Sequence, residues 1–312
     1  MLLRKGTDSD LPKIISLLRI SLGESLIPKS EALWKWKHEN NPFGPSPVLV
    51  AEVDGEIIGV RAFLQWEFLL GSTLVKACRA VDTAIHPDFQ GKGIFTKLTL
   101  TLIDQLKREG FDLIFNTPNA DSMPGYLKMG WEKWGKLPLK LDFHLSIGKN
   151  KHPIQPESWS KILHLVEQIE HLGNFSGANQ TNLKPGYLKW RYLDCPLFPY
   201  YYISDYKSFL LFYRIKESKM GRELRITDLF ILDGLEKEQK IHLNKSLSYF
   251  QKLSGARFTS FSGLQYPEQK ALNLGALPIF NAGPYVTLRK VKQDLDLQNL
   301  DWRWSLGDLE VF

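Results

Sequence analysis

Leu11, Ile14, Ile15, Leu18 and Leu22 recur at helical spacing, so the pattern predicts an amphipathic helix over 8–22, capped by Asp8 or Ser9. A second helical stretch follows near 30–39. Three extended runs come next, Val48 to Val53, Ile57 to Leu70 and Leu74 to Ile85. Asp54-Gly55 joins the first pair and Gly71-Ser72 the second. Both are two-residue hairpin signals, which predicts an antiparallel meander. After Ile85 the period changes: Ile94, Leu98, Leu102 and Leu106 recur every fourth residue until Gly110 closes a helix. Phe111 to Asn116 reads as a buried strand, Tyr126 to Met129 as part of a short helix, and Trp131 to Phe143 as a strand broken by proline. The predicted class is α/β with a mixed sheet.

The pattern then lapses. Residues 148–156, Gly-Lys-Asn-Lys-His-Pro-Ile-Gln-Pro, are polar, Pro-bearing and aperiodic, the signature of a linker. The halves on either side resemble each other. Lys35-Trp36-Lys37 has Pro42 six residues after its Trp, and Lys189-Trp190-Arg191 has Pro196 six after its own. Arg79, Asp82 and Ile85 are answered in register by Arg225, Asp228 and Ile231. Two matches in one order predict a tandem duplication: residues 1–147, a linker at 148–156, and a second copy at 157–312. The 312 residues are ample for two domains.

Composition narrows the classes. At 43% hydrophobic and 24% charged the chain reads as globular, and no window of 18 apolar residues suggests membrane insertion. The net charge of +6 divides into +1 up to residue 147 and +5 beyond it. That excess is scattered singly rather than run together, so no nucleic-acid partner is expected. Two cysteines, Cys78 and Cys195, lack metal-ligand or disulfide spacing, and His164 and His171, seven apart on one helix face, read as surface residues rather than metal ligands. No metal is expected. The expected compartment is cytoplasmic.

The chemistry concentrates in Ile85-His86-Pro87-Asp88-Phe89-Gln90-Gly91-Lys92-Gly93-Ile94-Phe95-Thr96. Glycines between a strand and a helix let backbone approach an anion closely, and the first N–H groups of the helix point at it. The same spacing also serves a plain strand-to-helix turn.

This segment resembles the signature of the GNAT acetyltransferase superfamily: Gln or Arg, two residues, Gly, one residue, then Gly or Ala. Gln90 and Gly93 match it, and Phe95 stands where Gly or Ala is usual. Asn119, Tyr126, Gly130 and Trp131 fall at the spacings of the family's second motif, with Pro124-Gly125 as a further departure. The resemblance spans residues 1–143 and implies a GNAT-like fold, here in tandem, with the second copy degenerate because Leu232-Asp233-Gly234 is all that follows Ile231. It implies acetyl-CoA as co-substrate, with its pantetheine arm along the backbone of Thr83, Ala84 and Ile85. Gln90, Gly91, Lys92, Gly93, Ile94, Phe95 and Thr96 then hold the pyrophosphate, and Asn119 lies beside the cofactor.

The implied reaction is transfer of an acetyl or other acyl group to a primary amine of a small molecule or peptide. An alkylamine with a pKa near 10.4 must lose a proton to attack, and a thiolate leaves better when a neutral acid protonates it. Tyr126 is the candidate acid. Asp82 is the candidate base, although its recurrence as Asp228 in a copy without the loop argues for a role in the fold, and a water-mediated base stays open. The alternative is a non-catalytic acyl-CoA sensor or interaction protein on the same fold. The second copy is expected to shape or cover the acceptor site.

Overall fold

The computed structural model describes residues 1–24, 27–144, 154–172, 179–263, 270–292, 295, 300 and 302–309. Numbered along the chain, the first elements are β1 (Leu2–Lys5), α1 (Leu11–Leu22), α2 (Glu31–His38), β2 (Val48–Val53), β3 (Glu56–Leu70), β4 (Thr73–Ile85), α3 (Ile94–Arg108), β5 (Leu113–Asn116), α4 (Met123–Lys128) and β6 (Glu132–Lys136). Then come β7 (Leu139–Phe143), α5 (Leu163–Leu172), β8 (Gln180–Thr181), β9 (Tyr201–Ser204), β10 (Phe209–Ser218), β11 (Gly221–Ile231), α6 (Lys237–Ser254), β12 (Phe258–Ser262), β13 (Tyr285–Lys290) and α7 (Leu306–Leu309). Most of the predicted linker lies outside the described residues.

The chain forms two compact units. The first comprises Met1–Gly135 with Tyr285–Leu300, and the second Lys136–Pro284 with Asp301–Val311. In the first, the strands run in the order β1-β2-β3-β4-β5-β13-β6. The predicted meander is the antiparallel run β2-β3-β4, and β5 then joins β4 in parallel across the α3 crossover. Alternation along β2 explains the layering. Leu49 and Ala51 face the α3 side with Phe63, Leu98 and Leu102, while Val50 faces α1 and Trp34 with Val60 and Ala62. Leu11, Ile14, Ile15 and Leu18 are buried as the helical period requires, whereas Leu22 is exposed at the helix end.

The second unit repeats the plan in the order β7-β12-β11-β10-β9. Again a hairpin, β10-β11, is followed by a helix and a parallel strand, β12. Both units then add one antiparallel strand beside the parallel one: β13 beside β5, and β7 beside β12.

These added strands correct the linear boundaries 1–147 and 157–312. Trp131–Phe143 is not one broken strand but two strands, β6 and β7, placed in different sheets. The return strand β13 comes from the end of the chain and completes the first sheet. The duplication is therefore reciprocal, with each half supplying a strand to the other's sheet.

Candidate active site

The site in the first unit begins where two strands part. β4 pairs with β5 only over Ala77–Arg79 and Leu113–Phe115. β4 runs on to Ile85 while β5 ends at Asn116, so one side of the last turn of β4 loses its strand partner. His86 N–H donates to the Ile58 carbonyl, and Ala84 pairs with Val60. By strand alternation, Thr83 and Ile85 turn their backbone groups the other way, into the opening.

This sorts the three residues expected along a pantetheine arm. Thr83 faces the opening, Ala84 is committed to β3, and the Ile85 carbonyl already accepts from Ser21 Oγ at 2.9 Å and Gln90 Nε2 at 3.1 Å. Gln90 thereby ties the following loop to the strand end. His86 is a turn residue, its Nδ1 accepting weakly from Asp88 N–H at 3.4 Å.

Gly91 and Gly93 have φ of 72° and 74°, left-handed values that a side chain at Cβ disfavours. Gly93 is the N-cap of α3, and the space around both glycines is open. The N–H groups of Ile94, Phe95 and Thr96 have no carbonyl one turn back within the helix, so the helix end presents donors and a positive dipole to that space. Lys92 folds back, its Nζ donating to the Asp88 carbonyl at 2.9 Å and lying 4.7 Å from the Phe89 ring centre.

Phe95 does not enter the cradle. It packs edge-on against Tyr126 at 5.6 Å, and a Cβ at Gly125 would lie 3.3 Å from its Cε1. The two departures from the family pattern thus compensate each other: a large residue at 95 fits because the helix opposite carries glycine at 125. Pro124 sits in the first turn of α4, where it forfeits no helical hydrogen bond.

Asn119 is exposed, beyond the end of β5, and its Oδ1 accepts from Ser122 N–H and Oγ, both at 2.8 Å. The side chain organises the start of α4. The Asn at the strand end is Asn116, buried and bonded through Oδ1 to Thr287 of β13.

Tyr126 is 6% exposed, and its hydroxyl meets a residue that sequence reasoning missed. Arg61 of β3 is fully buried, and its Nη1 donates to Tyr126 Oη at 2.9 Å and to Thr83 Oγ1. Its charge lies 4.5, 5.6 and 5.4 Å from the ring centres of Phe63, Phe95 and Tyr126. In the sequence Arg61 is the one polar side chain between Ile57 and Leu64, and that was the available signal.

Asp82 lies on the other face. It is the extra residue of a β-bulge, with φ of 40°, and its carboxylate bonds Lys37 Nζ and, at 2.9 Å, His38 Nε2, both from α2. Burial alone would raise the Asp82 carboxyl, but Lys37 and His38 outweigh it and hold it well below the usual carboxylate range. Burial lowers both Lys37 and His38, and Asp82 opposes it in each. The second unit has the same plan: Tyr192, two residues after Trp190, donates to Asp228 of β11. A carboxylate held from a Trp-bearing helix in both units is a feature of the fold.

The second unit lacks the cradle. At the start of α6 the N-cap is Glu236, whose own N–H is bonded by Gln239 Oε1 at 2.7 Å. A carboxylate stands where α3 has Gly93, and it repels phosphate.

A family model described as an acetyltransferase (GNAT) domain matches residues 3–134. Residues 3–134 are a GNAT domain. Among solved structures, the chain is similar to a GCN5-related N-acetyltransferase from Anabaena variabilis ATCC 29413, at 16% identity and TM-score 0.67, covering 93% of this chain and 73% of that one. It is similar also to a probable N-acyltransferase of unknown function from Enterococcus faecalis V583, at 11% identity and TM-score 0.66, covering 93% and 72%. Eis1 from Mycobacterium abscessus follows at 14% identity and TM-score 0.57, covering 93% and 74%. At these identities the likeness shows the GNAT fold, and it extends over both units. No curated protein matches the chain. Among the described residues no group of three or more His, Cys, Asp or Glu side chains could hold a metal, and no helix is long and apolar enough to cross a membrane.

Proposed function

We propose that the GNAT unit binds acetyl-CoA and transfers its acyl group to a primary amine. One observation carries this reading: the opening between β4 and β5 leads from Tyr126 and Arg61 to the glycine cradle at the start of α3. The diverged end of β4 offers backbone at Thr83 as a strand edge for an extended pantetheine arm. Gly91 to Thr96 offer N–H groups to the pyrophosphate.

Tyr126 then serves as the acid. Its O–H passes a proton to the departing thiolate as the amine nitrogen bonds to the acyl carbon. Asp82 is not the base in this reading, because an ion-paired carboxylate held far below neutrality has little affinity for the amine's proton. Ordered water reaching the opening takes that proton. The second unit is a copy in which an acidic N-cap replaced the cradle. Phe95 and Pro124, the two departures from the family pattern, are accounted for by packing and do not favour a non-catalytic protein.

Tyr126→Phe tests the assignment. The expected result is a drop in kcat of about 100-fold, a typical contribution of a positioned acid, with the Kd for CoA by calorimetry unchanged. Loss of CoA affinity instead makes Tyr126 a packing residue.

A further inference from the structure

Arg61 is a buried cation without a counter-ion. Among the described residues no carboxylate lies within ion-pair distance of it, and its Nε and Nη2 have no hydrogen-bond partner. Buried guanidinium groups are ordinarily paired, and unpaired donors there are costly. Three aromatic rings offset part of that cost. The one side chain of the proposed chemistry that Arg61 touches is Tyr126.

We infer that Arg61 is the positioning residue of the acid: it aims the Tyr126 proton and stabilises the phenolate left behind. This rests on the acyl-transfer reading above. Arginine is donor-only, so at 2.9 Å the Tyr126 oxygen must be the acceptor of the Arg61 Nη1 hydrogen. The hydroxyl's own hydrogen therefore points away from Arg61 and is free for the leaving sulfur. Thr83 Oγ1 takes a second Nη1 hydrogen, which fixes the guanidinium to the strand that borders the opening.

The step balances. As the acyl carbon–sulfur bond breaks, the Tyr126 O–H bond breaks and an S–H bond forms, giving free CoA thiol and a phenolate. The phenolate oxygen already lies against Arg61, in surroundings dry enough for the charge pair to count. The proton released from the acceptor nitrogen restores the phenol through solvent. A carboxylate beside Arg61 would neutralise it in the resting enzyme and remove this differential. Its absence leaves the cation available to the charge that forms during the reaction.

The test uses the full chain in turnover of acetyl-CoA with spermidine and tyramine as acceptors. Arg61→Met and Arg61→Gln, a neutral donor, each lower kcat by about tenfold or more, leave KM for acetyl-CoA unchanged, and add nothing to Tyr126→Phe. Arg61→Lys recovers part of the loss. Circular dichroism shows which variants fold, and either neutral variant suffices. Native kcat in a folded neutral variant, or a loss that adds in full to that of Tyr126→Phe, overturns the role of Arg61. Failure of the native protein to bind CoA by calorimetry overturns the acyl-transfer reading instead.

Discussion

Gly93 separates two explanations of the glycine loop, a phosphate cradle and a tight turn, and a pair of substitutions resolves them. Its φ of 74° and ψ of 6° are left-handed, a region that Asn and Asp tolerate better than other side chains, and nothing lies within 4 Å of a Cβ placed there. Gly93→Asn and Gly93→Asp therefore put near-identical shapes into the same open space, and both are good N-caps. They differ by one negative charge. At roughly 5 Å from a phosphate, two unit charges repel by about 1–3 kcal/mol at effective dielectrics of 80 to 20.

The expected outcome is CoA binding about 5- to 200-fold weaker for Asp than for Asn, by calorimetry at low salt. The gap narrows at 1 M salt, where the screening length is about 3 Å. Without CoA the Asp variant is at least as stable as the Asn variant, because a carboxylate suits a helix N-terminus. Equal affinity of the two for CoA refutes the cradle, and so does a gap that salt leaves untouched.

Three other outcomes follow from the geometry. Asp82→Asn removes the carboxylate charge that Lys37 and His38 share and lowers stability by about 3–5 kcal/mol in denaturant unfolding, while kcat per folded molecule is retained; a stable variant with kcat reduced a hundredfold restores Asp82 as a base. Residues 1–147 expressed alone lose β13 beside β5 and show no cooperative unfolding, whereas a sharp thermal transition contradicts the strand exchange. Burial together with Asp308 pushes Asp228 up to about 7. Between about pH 4 and 7 the folded chain thus holds a proton that the unfolded chain has released, so stability falls as pH rises, by roughly 4 kcal/mol for roughly three pH units. Asp228→Asn flattens that slope in urea midpoints between pH 4.5 and 7.5, and an undiminished slope sinks the assignment. Asp10 and Asp82, held low by cations, act oppositely, and their stabilisation is lost as pH falls below about 4.

Local periodicity determined a great deal. The meander and α3 follow from alternation, fourfold spacing and turn residues, each read within a few positions along the chain. So did the repeat of Trp36 and Asp82 as Trp190 and Asp228, because like residues stand at like offsets. Phe95 and Pro124-Gly125 were visible as departures, but their compensation was not, since they are thirty residues apart in sequence and meet only when α3 and α4 pack on one face.

What lay beyond the sequence was partnership. Asn119 has the spacing of a cofactor residue and the surroundings of a cap, and only the folded loop shows Ser122 taking its oxygen. Arg61 in an apolar run could have been an edge-strand cation; tertiary packing encloses it with Tyr126 and Thr83 and gives it no carboxylate. The strand exchange is the clearest case. β7 and β13 have ordinary strand patterns that satisfy either sheet equally, because alternation specifies which face a strand buries and not which edge it joins. That choice depends on backbone groups more than a hundred residues away, and only the tertiary structure makes it.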